Sequence, residues 1–182
     1  MTQLPDSRGP ASRLQHDVCL IADDDALISV LSERVQAGID AGEVCVVVAT
    51  APHRAALRES LGDALASAED TGRYFELDAE ETLQRIAPNG VPVVGLFDDV
   101  IGHLFRGLTF SGRTVQFYGE MVGMLWNSGN VSGALALEGF WAGLLDGSDC
   151  RLLCGYPVEN ADDIDDAYDA VRAAHQRASV LS

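Results

Sequence analysis

From about residue 15 onward, short β-rich apolar runs alternate with longer segments in which apolar residues recur at helical spacing. That alternation predicts an α/β fold with a largely parallel sheet. The run DVCLIA (17–22) lacks strict alternation, so it reads as a strand covered on both faces. Asp23 or Asp24 then caps a helix striped by Leu27, Val30, Leu31, Val35 and Ile39, and Gly42 ends it. VCVVVA (44–49) is the second strand. Thr50 with Pro52 opens a second helix striped by Leu57, Leu61 and Leu65, and RYFEL (73–77) makes the third strand. A short helix follows from Ala79, PNGVP (88–92) is a turn, and a helix from Val93 to Arg106 leads into the fourth strand, TVQFYG (114–119). A helix from Val131 to Asp146 precedes the strand CRLLCGY (150–156). The last helix is striped by Ile164, Ala167, Tyr168, Val171 and His175. Five strands and six helices in this order predict a three-layer α/β/α sandwich around a mainly parallel five-stranded sheet. Residues 1–15 read as a flexible N-terminal arm and residues 16–182 as a single domain.

Composition narrows the chemistry. The 182 residues are 47% hydrophobic and 22% charged, which argues against disorder. The net charge of −16 disfavours nucleic acid and anionic lipid as partners. All 12 basic residues are Arg, so a phosphate-loop lysine, a Schiff-base lysine and a lysine general base are excluded from this chain. No apolar run resembles a signal peptide or reaches the length of a membrane span, and a cytoplasmic protein is expected. Cys19, Cys45, Cys150 and Cys154 sit in apolar runs without zinc-knuckle or redox spacing and read as buried reduced thiols.

In an open parallel sheet, ligands bind outside the carboxyl ends of the strands. Those ends carry Asp23 and Asp24, Thr50, Asp78, Glu120 and Tyr156, a rim rich in carboxylates and poor in positive charge. The turn after the first strand offers LIADDDALI where glycines and a lysine would be needed, so it is no phosphate cradle. Glu120 follows the fourth strand directly, where it serves either catalysis or the acceptance of backbone hydrogen bonds. Glu138 shares a helical stripe with Ala134, Trp141 and Leu145; if it points inward it needs a partner, and otherwise it is solvated. His16 and His175 are expected to meet at the sheet's amino edge, either as a pH- or metal-sensitive pair or as caps of element ends. His53 and His103 carry no readable signal. Met121, Met124, Leu125, Trp126, Phe140 and Trp141 form either core or the wall of an apolar pocket.

These residues carry a resemblance. The chain resembles the MEDS domain, a sensory domain of methanogen and methylotroph regulators that include a dichloromethane-responsive one. The likeness spans about residues 16–177. His16 with the following strand, Asp23 and Asp24 is similar to the family's opening, and GRYFELDAEETL (72–83) to its centre. FYGEMVGMLWNSGN (117–130), LEGFW (137–141), LLCGYP (152–157) and AAHQR (173–177) are its most specific segments. Leu20 and Ile21 stand where many relatives carry an aromatic pair, and the loop from Ile86 to Phe97 is short against relatives. The resemblance implies a RecA-like outline without a phosphate loop, and a role in sensing small molecules or relaying signals to histidine kinases and transcription regulators. The chain ends soon after His175, so output is expected to come from a separate partner.

The expected function is therefore a small-molecule sensor or signalling adaptor acting on a separate protein. Asp23, Asp24, Glu120, Trp126, Asn130, Glu138, Trp141 and Tyr156 are the expected ligand contacts, with His16 and His175 as a switch. The cofactor is unknown, and no catalytic residue and no metal site is assigned. Two alternatives stand: a degenerate nucleotide-binding protein using Glu120 with a rim-held metal for residual hydrolysis, and a pure interaction module. In the latter, the acidic last helix, with Glu159, Asp162, Asp163, Asp165, Asp166 and Asp169, docks a basic partner. Sheet edges and the hydrophobic fraction permit a homodimer without demanding it.

Overall fold

The computed structural model describes residues 15–110, 112–158, 171, 175 and 177–181. The N-terminal arm and most of the last helix, including its acidic run, lie outside the described residues.

Six strands form one sheet in the order β3-β2-β4-β5-β1-β6. They are β1 (Gln15–Ile21), β2 (Val44–Ala49), β3 (Tyr74–Asp78), β4 (Val115–Gly119), β5 (Cys150–Pro157) and β6 (Arg177–Leu181). Every pairing is parallel. The five expected strands are all present, and the sixth, which the apolar pattern did not signal, pairs with β1 from Asp17↔Arg177 to Ile21↔Leu181. It covers what would otherwise be a row of unpaired backbone groups on β1.

Helices cover both faces, giving the expected three layers. One face holds α1 (Asp24–Asp40), α2 (Ala51–Leu61) and α3 (Asp63–Asp70), packed through Leu27, Leu31, Val35, Leu57 and Leu65 onto Cys19, Val47 and Tyr118. The other holds α4 (Ala79–Ile86), α5 (Val94–Phe97), α6 (His103–Thr109), α7 (Met121–Asn127) and α8 (Val131–Leu145). Their core is built on Val18, Leu20, Phe117, Leu152, Cys154 and Tyr156. Residues two apart on a strand face the same layer, so His16 continues the row of Val18 and Leu20, and Cys154 lies between Leu152 and Tyr156.

Local chemistry explains the helix boundaries. Asp23 caps α1 by accepting the Ala26 N–H at 3.0 Å, Asp78 caps α4 through Glu81, and Asn130 caps α8 through Gly133. Four expectations needed revision. The second helix is two, because Gly62 at φ 48° breaks it into α2 and α3. The helix expected from Val93 contains a π-helical stretch, Asp98–Gly102, between α5 and α6. Met121–Asn127, read only as an apolar cluster, is a helix of its own. Val30, counted in the α1 stripe, is 38% exposed.

Candidate functional site

Two buried glutamates organise the polar interior, each 3% exposed. Glu120 follows β4 where neighbouring connections part: α2 leaves β2 toward one layer and α7 leaves β4 toward the other. This is the kind of crevice in which parallel sheets bind ligands. Here protein groups occupy the carboxylate. The Thr50 N–H donates to Oε2 at 2.9 Å, the Tyr118 hydroxyl donates to Oε1 at 2.9 Å, and His53 Nδ1 lies 2.6 Å from Oε1. His53 Nε2 in turn lies 3.4 Å from exposed Asp24. The bond to Glu120 raises the His53 pKa above its ordinary value, outweighing partial burial. Burial, reinforced by the Glu120 charge, pushes the Tyr118 phenol well up.

Glu138 projects from α8 onto the opposite face of the sheet and meets a different set of groups. The Tyr156 hydroxyl donates to Oε1 at 2.6 Å, His16 Nε2 lies 3.0 Å from Oε2, and His175 Nε2 lies 3.3 Å from Oε1. Cys154 Sγ is 3.6 Å from Oε2 and 3.4 Å from His16 Nε2. The His16 and His175 rings stand 4.3 Å apart, so the pair expected to meet does meet, but under α8 and around Glu138. Burial alone would raise the Glu138 pKa, yet contacts with His16, His175 and Tyr156 bring it down to about 2. Burial would lower the His175 pKa, and the Glu138 carboxylate reverses the direction. Burial, then the Glu138 charge, pushes the Cys154 thiol well above the usual thiol range.

The remaining expected contacts fall into other roles. Asp23 and Asn130 are helix caps, and Asn130 also donates to the Gly90 carbonyl at 2.5 Å, tying the PNG turn to α8. Trp141 is 1% exposed and packs on Phe97 and Phe117 at 5.2 and 5.3 Å, so its ring belongs to the core. Half-buried Trp126 meets Tyr156 edge-on at 5.8 Å. The apolar cluster is thus divided: Met121 is core, Met124 and Leu125 line a cleft of about 420 Å³ against α4, and Phe140 lines one of about 490 Å³ beside α5 and α6. The rim also holds more positive charge than the strand ends suggested. The first turn of α2 brings in Arg54, which pairs with Asp78 at 2.5 Å and Glu76 at 3.4 Å.

Sequence reasoning missed two residues. His53 was given no role although it lies one helical turn from Thr50, a spacing that aims it back at the strand ends. Cys154 was read as a buried reduced thiol. The alternation Leu152, Cys154, Tyr156 placed it on the face of Tyr156, but only the β1–β5 register, His16↔Leu152 and Val18↔Cys154, brings it to His16.

Helix α7 connects the two clusters. It starts at Glu120 and ends beside Tyr156, and a Cβ on its Gly123 would lie 2.4 Å from the Gly155 carbonyl, so helix and β5 meet backbone to backbone.

Residues 15–176 match the model of the MEDS family, the methanogen/methylotroph, DcmR sensory domain, and the chain belongs to that family. No curated protein and no solved structure is significantly similar to it.

Proposed function

We propose that this MEDS domain is a cytoplasmic small-molecule sensor or signalling adaptor whose output passes to a separate protein such as a histidine kinase or transcription regulator. Family membership supports a sensor or signalling role. The position of α7 carries the finer reading. Its Met124 and Leu125 line the cleft against α4, Glu120 at its start is bound to the β2–α2 junction, and its Trp126 rests on Tyr156, the donor to Glu138. A small, weakly polar molecule held among Met124, Leu125, Leu83 and Ala87 would press on a helix that contacts both polar clusters. Differential affinity for two positions of α7 would then supply the signal.

This reading revises the ligand contacts. Met124 and Leu125 touch the ligand; Glu120, Glu138 and Tyr156 respond to it. Residual nucleotide hydrolysis at Glu120 is less favoured, because both carboxylate oxygens are already engaged by protein donors. Tryptophan emission and melting temperature, followed across nucleotides, halocarbons and C1 compounds, test the proposal. A binding compound is expected to raise the melting temperature and change emission, with the emission change lost in Trp126→Phe. No response across the panel would overturn it.

A further inference from the structure

The Glu138 cluster gathers two imidazoles, a thiol and a carboxylate in the core. His175 Nδ1 lies 2.6 Å from the Val171 carbonyl, which can only accept, so Nδ1 carries the proton. In the neutral imidazole Nε2 is then the lone-pair nitrogen, on a side chain 0% exposed, 3.3 Å from a Glu138 oxygen and without a hydrogen-bond partner. A lone pair facing a carboxylate away from water calls for a cation between them, a proton or a metal ion.

We propose that His16, Glu138, Cys154 and His175 bind one divalent transition-metal ion of the zinc class. The four donor atoms lie within 4.8 Å of one another. Ligand bonds of about 2.0–2.3 Å put the edges of a tetrahedral zinc site at about 3.3–3.6 Å. Among Glu138 Oε2, His16 Nε2 and Cys154 Sγ the separations of 3.0, 3.4 and 3.6 Å bracket those edges, and the His175 donor lies within 4.8 Å of the other three. Two imidazoles, a thiol and one carboxylate suit zinc or cobalt, and disfavour magnesium and calcium, which take oxygen ligands. The supporting shell is in place: the Val171 carbonyl orients His175, and the Tyr156 hydroxyl holds the second Glu138 oxygen at 2.6 Å. On binding, the Cys154 S–H bond gives way to an S–metal bond and the proton leaves to solvent. Four protein donors complete a tetrahedron and leave no position open for substrate, so the ion serves structure or signal. It would clamp β1, β5, α8 and the segment at His175 together.

This inference goes beyond the sensor reading and does not rest on it, since the probe is a metal ion alone. The full chain, stripped with chelator, is titrated with Co²⁺ and followed by absorption. One Co²⁺ per chain is expected, with tetrahedral d–d bands and a near-ultraviolet thiolate-to-cobalt band, displaced by Zn²⁺. Cys154→Ser should abolish the thiolate band, and Tyr156→Phe should weaken binding by about 10–100-fold. If Cys154→Ser fails to fold, His16→Gln, which alters no thiol, keeps the test decisive: it must weaken binding at least about tenfold. Absence of stoichiometric binding would show that a proton bridges the cluster and overturn the proposal. Binding at unchanged affinity in His16→Gln and Tyr156→Phe would assign the ion to surface carboxylates and overturn it equally.

Discussion

Glu120 and Glu138 are the same residue at the same burial, yet they sit in opposite kinds of surroundings. The Glu120 carboxylate accepts from a backbone N–H and a hydroxyl and is paired with His53, which reaches outward to exposed Asp24. Glu138 faces two imidazole nitrogens, a thiol and a phenol, all within the core, and no backbone N–H among the described residues reaches it. The first carboxylate is saturated by protein donors, of which Thr50 and His53 are half-buried and Tyr118 is buried. The second is surrounded by groups that also ligate metals. Burial alone does not tell these two carboxylates apart; the identity of their partners does.

The sharpest way to break this comparison is to delete each carboxylate. Glu138→Ala strands buried partners that water cannot reach, and a loss of about 3–5 kcal/mol is expected in urea unfolding of metal-free protein. Glu120→Ala should cost less, about 1–3 kcal/mol, because half-buried Thr50 and His53 can recover hydrogen bonds from solvent. Equal losses would erase the distinction between the two sites. Gly123→Ala tests the link between them. With 2.4 Å to the Gly155 carbonyl, the added methyl must lift α7 off β5, at a cost of about 1–3 kcal/mol with a change in Trp126 emission. A neutral variant with unchanged emission would mean that α7 does not couple the clusters.

The smallest effect is the pH dependence at Glu120. The folded-state His53 pKa is raised above its ordinary 6.5, so the stability it contributes is fully present below about pH 6.5 and is lost as pH rises through the folded value. Stability measured from pH 5 to 9 should therefore decline less in His53→Asn than in the parent chain. The same slope in both proteins would show that Glu120 does not depend on His53.

Much of the frame was legible because it rests on local rules. Asp23 before an apolar stripe, the Val-rich run at 44–49 and Gly42 at φ 75° each state their role in a few residues. The resemblance carried by FYGEMVGMLWNSGN and LLCGYP foretold the family found over residues 15–176. The site was less legible. Glu120 was recognised as a strand-end carboxylate, but its binding to His53 depends on how α2 leaves β2. Trp141 was expected at a ligand, and two aromatic neighbours, Phe97 of α5 and Phe117 of β4, place it in the core.

By itself, then, the sequence determined the alternation of strands and helices, the layers they form and the absence of a lysine for phosphate chemistry, because period, caps and composition act over a few residues at a time. Only the tertiary structure decided which carboxylate meets which partners. His16, Glu138, Cys154 and His175 come from β1, α8, β5 and the segment before β6, and strand order, register and the seating of α8 bring their donor atoms within 4.8 Å. Those quantities depend on contacts between distant parts of the chain, which no local pattern encodes.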